Sequence, residues 1–228
     1  MADEASRYKK VNKANKENNT MSENYVVRSE QELEAIIGEP MEFVRAKVVA
    51  ALDEVMKEFI CRSPLVFVST IDAAGRVDIS PKGDPEGFVH VDETGALLIP
   101  ERQGNRLTFG FRNILRNGEI GLIFIVPNQR ETLRVKGVAT LHTDPGILEQ
   151  LQAKGKPALM YTRVEVTECF FHCGKALIRS QLWKPESWNS DKKSIGARQF
   201  ASSMVGEGEE ALRKTEELME DSYVNELY

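Results

Sequence analysis

The sequence predicts an α+β fold built mainly on an antiparallel sheet, and two observations carry that expectation. β-rich runs follow one another at close spacing, most of them joined by short turn-forming clusters, and segments of helical period flank and interrupt them. Strands arranged in this way are expected to close on themselves, because a barrel removes exposed edges. A length of 228 residues suits one core with appendages better than two full domains.

Residues 1–25 are rich in Asn and Lys and nearly free of apolar side chains. Such a stretch cannot offset the entropy of ordering and is expected to be a disordered polar tail. Residues 26–62 are expected to supply helices that pack on the barrel. Ser29 with Glu32 three positions later makes a capping box ahead of Leu33, Ile36 and Ile37, with Gly38 as the stop. Beyond Pro40, the residues Phe43, Val44, Val48, Leu52, Val55, Met56 and Phe59 recur at helical spacing as far as Arg62 and are expected to be core positions of one or two helices.

At Pro64 the pattern changes. The run Leu65–Ile71, the turn cluster Asp72-Ala73-Ala74-Gly75 and the run through Val77 and Ile79 predict a β-hairpin. Further strands are expected at Gly87–Val91, Ala96–Ile99, Ile120–Val126, Thr132–Leu141 and Arg163–His172, with turns at Glu93-Thr94-Gly95 and Pro127-Asn128-Gln129. Helices are expected at Asn105–Arg116, Pro145–Ala153 and Lys175–Leu182. Residues 184–228 are expected to form a C-terminal loop and a charged helix over Glu207–Asp221, followed by Tyr223, Leu227 and Tyr228, which need a surface to cover.

The bulk properties narrow the function classes. Thirty basic and 35 acidic residues give a formal charge of -5, so no polyanion-attracting field is expected, and nucleic acid is not an expected partner. No apolar run approaches the roughly 18 residues of a membrane span, and the polar N-terminal segment lacks the apolar stretch of a signal peptide; a cytoplasmic protein without a membrane partner is expected. Three cysteines, Cys61, Cys169 and Cys173, are too few for a disulfide framework. Cys169, His172 and Cys173 do not make a metal site: a structural zinc wants four ligands, and on a strand His172 points away from the face shared by the two cysteines. Walker, dinucleotide-binding and nucleophile-elbow motifs are absent from the sequence.

Two constellations could bind an anion. In Ser80-Pro81-Lys82-Gly83-Asp84, Pro81 is expected to stop sheet pairing and Gly83 to permit close backbone approach, which would leave Ser80, the Lys82 ammonium and free amides facing a ligand. A plain surface turn is the alternative. In Pro100-Glu101-Arg102-Gln103-Gly104-Asn105-Arg106, Gly104 or Asn105 is expected to cap the following helix, so that Arg102 and Arg106 flank its N-terminus, a favourable place for a phosphate. The alternative is that these arginines pair with Glu101 or Glu119 on a solvated face.

In this order and spacing the two pieces resemble the FMN-binding branch of the pyridoxamine 5′-phosphate oxidase superfamily. So do the strand Thr132-Leu133-Arg134-Val135-Lys136-Gly137 and the segment from His172 to Trp183, and the resemblance runs from about Pro64 to Trp183. It implies a six-stranded Greek-key split β-barrel over residues 63–183, with flanking helices, assembled as a homodimer with FMN in clefts between the subunits. It further implies that Lys82 binds the FMN phosphate and that Arg102, Asn105 and Arg106 form the strand-to-helix phosphate grip. Ser80, with Pro81 and Gly83 at the same strand end, would face the flavin. Thr132 would reach the isoalloxazine ring, at a position where the oxidase carries glutamine. Arg179 and Trp183 match the family's C-terminal elements, Trp183 being suited to pack on a flavin or, alternatively, to plug the dimer interface.

The paired Arg and His of the true oxidase's substrate site have no counterpart after Trp183, where the chain reads Lys184-Pro185-Glu186-Ser187-Trp188. Pyridoxamine phosphate oxidation is therefore not expected, while FMN binding is. The expected function is hydride or electron transfer between FMN and an unidentified small molecule, with no side chain assigned as catalytic. A non-catalytic flavin-binding dimer, or a deazaflavin or haem protein, is the alternative, because the split-barrel family is known for all three groups.

Overall fold

The structure, a computed structural model, describes residues 25–189, 195–204 and 206–228. The polar tail expected over residues 1–25 lies outside the described residues except for Tyr25. The chain divides into two compact units, residues 1–45 and 46–228. In the first unit, helix α1 (Glu30–Ile37) is capped as its sequence predicts: Ser29 Oγ accepts the Glu32 N–H at 3.1 Å, while the Glu32 carboxylate reaches back to the Arg28 N–H at 2.8 Å. None of its residues is buried.

Helix α2 (Glu42–Ala46) is a single turn and ends well before helix α3 (Glu54–Cys61). Between them Val49 forms an isolated antiparallel bridge, exchanging backbone hydrogen bonds with Cys169 at 3.1 and 2.8 Å. The expectation that Phe43, Val48 and Val55 are core is therefore corrected; they are 68%, 41% and 63% exposed. The core positions of α3 are Met56 and Ile60, with Leu52 and Phe59 packed beside them, and Asp53 caps the helix by accepting the Met56 N–H at 2.8 Å.

The sheet has seven antiparallel strands: β1 (Leu65–Ile71), β2 (Val77–Gly83), β3 (His90–Val91), β4 (Leu97–Glu101), β5 (Glu119–Ile125), β6 (Thr132–His142) and β7 (Met160–His172). Their hydrogen-bonded order is β2-β1-β5-β6-β7-β4-β3. Alternation along β1, β5 and β6 turns Val66, Val68, Leu122, Phe124, Leu133 and Val135 into one core with Leu97, Ile99 and Val164, and leaves the opposite face of these strands to Phe67, Ile123 and Arg134. Helix α4 (Phe109–Asn117) lies between β4 and β5, and helix α5 (Pro145–Gln150) between β6 and β7, with Leu98, Leu151, Ala158 and Tyr161 forming a smaller cluster by α5.

Three local expectations are corrected. Of Gly87–Val91 only His90 and Val91 pair, because Pro85 to Phe88 form a turn closed by the Phe88 N–H to Pro85 O bond at 3.2 Å. Pro81 does not stop the sheet: β2 pairs through Gly83, and as an edge strand bonded only to β1 it tolerates the missing N–H. The helix expected from Asn105 begins at Phe109, because Arg106 and Thr108 take left-handed backbone angles, φ 59° and 54°, which interrupt any helical run.

After β7, helix α6 (Lys175–Arg179) is shorter than expected and gives way to a turn in which Gln181 has φ 53°. A helix not anticipated, α7 (Ile195–Met204), then pairs with α8 (Glu209–Asn225). Ala197 and Ala201 on one, and Ala211 and Thr215 on the other, are buried at a spacing of four, so small side chains form the seam. Among the described residues no helix is long and apolar enough to cross a membrane.

Candidate functional site

The hairpin is set by Asp72, whose carboxylate accepts the N–H groups of Ala74 and Arg76 at 2.8 and 2.9 Å and fixes the turn into β2. In the resulting register Asp78, Ser80 and Lys82 stand opposite Thr70, Val68 and Val66, and so share the inward face of the sheet. They form one wall of a cleft of about 340 Å³, within the size range of ligand pockets, roughly 300–1,000 Å³. Its other walls are mostly apolar or aromatic: Ile99 of β4, Ile114 and Phe111 of α4, Ile120 of β5, and Leu107 and Phe109. Gly83 does allow close approach, since a Cβ there would lie 3.3 Å from the Pro64 carbonyl oxygen.

Lys82 and Glu101 form an ion pair across this cleft, with the Lys82 Nζ also 4.5 Å from the centre of the Phe111 ring. The Glu101 side chain is only 5% exposed, and its second oxygen accepts the Thr162 hydroxyl at 3.1 Å. Burial pushes the Glu101 carboxyl above its ordinary range, against the opposing pull of Lys82, Thr162 and Arg102. The base of the cleft is held by Asn113, whose amide donates to Thr70 Oγ1 at 3.1 Å.

Arg102 follows Glu101 and lines a different cleft, of about 240 Å³, with Phe88, His90, Gln152 and Lys154. Its Nε donates to Asp84 Oδ2 at 2.7 Å, and its buried Nη1 has no hydrogen-bond partner among the described residues. The other Asp84 oxygen accepts the Tyr228 hydroxyl at 2.8 Å. Burial lowers the pKa of the His90 imidazole in this cleft.

The expected site residues thus fall in three places. Ser80, Pro81, Lys82 and Asn105 line the first cleft, and Arg102 the second. Arg106 is exposed, and the N-cap position expected of Gly104 or Asn105 is held by Thr108, which makes no side-chain capping bond; Asn105 instead accepts the Leu107 N–H at 3.1 Å. Trp183 lines a hollow of about 350 Å³ with Asn128, Arg130, Leu177 and Ile178, and its indole N–H donates to Gln129 O at 2.7 Å. Thr132 begins β6 beside that turn, and Arg179 is exposed on α6. Thr132 alternates with the buried Leu133 and therefore belongs to the outward face, three strands from β2.

Sequence reasoning missed Asp78, Phe111 and Thr162, singled out Tyr228 only as a residue in need of a surface, and missed that Asp84 and Glu101 are the partners of Arg102 and Lys82. Asp78 was accessible to it, since Asp78, Ser80 and Lys82 recur at the strand period of two.

Residues 52–173, more than half of the chain, match the profile of the family described as pyridoxamine 5′-phosphate oxidase. The chain belongs to that family. The matched segment contains α3, all seven strands and the ion pairs Lys82–Glu101 and Arg102–Asp84. Among solved structures, the chain is similar to HupZ of Group A Streptococcus, at 21% identity over 53% of this chain and 93% of that one, with a TM-score of 0.43. A protein related to general stress protein 26 from Clostridium acetobutylicum, of the pyridoxinephosphate oxidase family, is 19% identical over 54% of this chain and 91% of that one, TM-score 0.35. The heme storage protein HutZ of Vibrio cholerae is 16% identical over 53% and 94%, TM-score 0.35. At such identities and scores these likenesses carry no inference about chemistry. No curated protein matches the chain.

Proposed function

We propose that this member of the pyridoxamine 5′-phosphate oxidase family is an FMN-binding flavoprotein that works as a homodimer and passes hydride or electrons to a small molecule. The observation that carries the reading is the first cleft, where the Lys82 ammonium, paired with Glu101, lies beside the apolar and aromatic side chains of Ile99, Leu107, Phe109 and Phe111, in a lining that also holds Asp78, Ser80, Asn105 and Thr162. That combination suits an aromatic ligand with an anionic end. Arg102 at the neighbouring strand exit is a second cation close by, paired with Asp84 and lining the adjacent cleft.

In this reading Lys82 holds the phosphate, Ser80 and Asn105 orient the ligand, and the apolar walls exclude water from the ring. Bound FMN would supply the hydride or electron chemistry itself. Arg102 and Arg106 flank the phosphate end. A six-stranded barrel would arise if β2 and β4 close the sheet through the side-chain pairs Lys82–Glu101 and Arg102–Asp84, leaving the two-residue β3 outside it. Residues 63–183 would then be the flavin domain, with helices before it and the α7–α8 hairpin after it, in a cytoplasmic protein.

The homodimer explains why the expected residues are divided. The outward face of β1, β2 and β5 exposes Phe67, Val77, Ile79 and Ile123, at 36%, 63%, 66% and 40%, and a second copy is the partner that would cover it. Thr132, Arg179 and Trp183 of one copy would then serve the Lys82 cleft of the other.

The test is the visible spectrum of the purified protein, followed by mass spectrometry of the small molecule released on denaturation. Flavin bands with the mass of FMN are expected; a deazaflavin or haem would reveal itself by mass. A colourless protein that also fails to bind added FMN would overturn the reading. Reduction of bound flavin by a nicotinamide donor, with reoxidation by an acceptor, separates turnover from non-catalytic binding.

A further inference from the structure

The second cleft has two walls that come from distant parts of the chain. Residues 84–88, leaving β2, form one, and residues 151–154, following α5, form the other, with His90 and Arg102 completing the lining. The second wall runs into a tight loop in which Ala153 and Lys156 exchange backbone hydrogen bonds at 2.9 and 3.0 Å. Lys154 and Gly155 turn that loop with left-handed angles, φ 51° and 74°. Among the described residues no backbone hydrogen bond joins one wall to the other. Tyr228 does join them. Its hydroxyl donates to Asp84 Oδ1 at 2.8 Å on the first wall, and its main-chain oxygen accepts from Lys156 Nζ at 2.5 Å, two residues past the second. Tyr228 arrives on the α7–α8 hairpin, whose helices pack more closely on each other than on any strand. Hairpin and tyrosine both lie beyond residues 52–173, so one side of this contact comes from outside the segment that matches the family.

We propose that Tyr228 is a clasp across the second cleft: it ties the two walls together, and its release opens the cleft to small solutes. The two bonds contribute unequally. Lys156 donates in the open, where water readily replaces it, whereas the Asp84 side chain is 2% exposed and its bond to the phenol is shielded. The Asp84 bond therefore sets the closed state. Donation to Asp84 raises the pKa of the phenol, which keeps the hydroxyl a donor at neutral pH. Release is also feasible, because it leaves the Asp84 carboxylate paired with Arg102 Nε at 2.7 Å and strands no buried charge. One charge-assisted hydrogen bond is a small part of the stability of the whole unit, so the walls can part while the sheet stays folded. The clasp makes no use of the first cleft and stands whether or not flavin binds there.

His90 reports the opening. Burial lowers its pKa and favours the uncharged imidazole, the form that reacts with diethyl pyrocarbonate, while His142 and His172 lie outside the cleft and serve as references. The full chain and its Tyr228→Phe variant are labelled at pH about 7 and read by peptide mass spectrometry. Tyr228→Phe is expected to label His90 roughly three- to tenfold faster, the loss of one modest hydrogen bond, with the two references unchanged. Amide hydrogen exchange should rise in the same variant at residues 84–88 and at residues 151–156 together, and stay as it was in β5 and β6. Unchanged labelling of His90 overturns the proposal. So does faster exchange at one wall alone, and so does faster labelling of all three histidines, which would mark a general loosening in place of a clasp.

Discussion

Glu101→Gln removes one negative charge from the wall of the first cleft and keeps an oxygen able to accept from Thr162. Glu101 shares the Lys82 ammonium with any anion that enters, so a phosphate drawn to Lys82 would lie roughly 4 Å from the carboxylate. Two unit charges at that distance repel by about 1 kcal/mol under water-like screening and about 4 kcal/mol at an effective dielectric of about 20. The cleft opens to solvent and 22% of the Lys82 side chain is exposed, which places the effect toward the lower end. Glu101→Gln should therefore tighten FMN roughly five- to fiftyfold while leaving riboflavin nearly unchanged. Quenching of flavin fluorescence at fixed ionic strength measures both. In the parent protein FMN should also bind more tightly as the pH falls and Glu101 takes up a proton, and the variant should lose that dependence. A variant that folds normally yet binds FMN no better than the parent would refute the account of Lys82 and Glu101 as competitors for the same anion.

Other expectations concern stability. Glu101 has a folded-state pKa above its ordinary value near 4.5, so its contribution is fully present below that value and is lost as pH rises through the folded pKa. The difference in urea midpoint between Glu101→Gln and the parent should accordingly grow in favour of the variant over that rise, and a flat difference would contradict the burial argument. Gly174→Ala should lower the thermal midpoint, because a Cβ at that position would lie 2.6 Å from the Arg130 carbonyl oxygen, a main-chain contact whose relief costs roughly 1–3 kcal/mol; an unchanged melt would show that the turn yields freely. Ser63, fully buried, has its Oγ 2.8 Å from the carbonyl oxygens of Leu65 and Ile125 and accepts the Ile125 N–H at 3.2 Å. Ser63→Ala should cost roughly 1–3 kcal/mol in chemical denaturation, and a loss below about 0.5 would mean that water replaces the hydroxyl.

Much of the sheet was legible because local rules dictate it. The Asp72 turn, the alternation of β1, β5 and β6 and the polar triplet of β2 all follow from neighbours a few residues apart. The cleft was legible only in part. Lys82 and Glu101 are 19 residues apart and Arg102 and Asp84 are 18 apart, on or just past the ends of strands that are not hydrogen-bonded neighbours, so no periodicity links them. The left-handed backbone of Arg106 and Thr108 carries no glycine or asparagine signal, which is why a helix read from Asn105 begins four residues too early. The seam of α7 and α8 rests on Ala197, Ala201, Ala211 and Thr215, residues too small to register as an apolar stripe.

The two ion pairs have a structural role that constrains the functional one. β2 ends the ladder on one side, while β4 lies at the other side with only the short β3 beyond it. Lys82–Glu101 and Arg102–Asp84 join these two sides by side chains where no main-chain ladder does so among the described residues. Each acid in these pairs is at least 95% buried, whereas each base keeps some exposure, 22% for Lys82 and 16% for Arg102. The asymmetry decides what a ligand can take. Drawing a base toward an incoming anion is feasible because the base already reaches the cleft, but it leaves a buried carboxylate behind, and an uncompensated buried charge costs several kcal/mol. Asp84 is protected from that fate by the Tyr228 hydroxyl, while Glu101 has Thr162 and a proton to fall back on. An anion at the first cleft is therefore expected to arrive with a proton for Glu101, and one at the second without, so that the two clefts differ in pH response although each holds one buried acid paired with one partly exposed base.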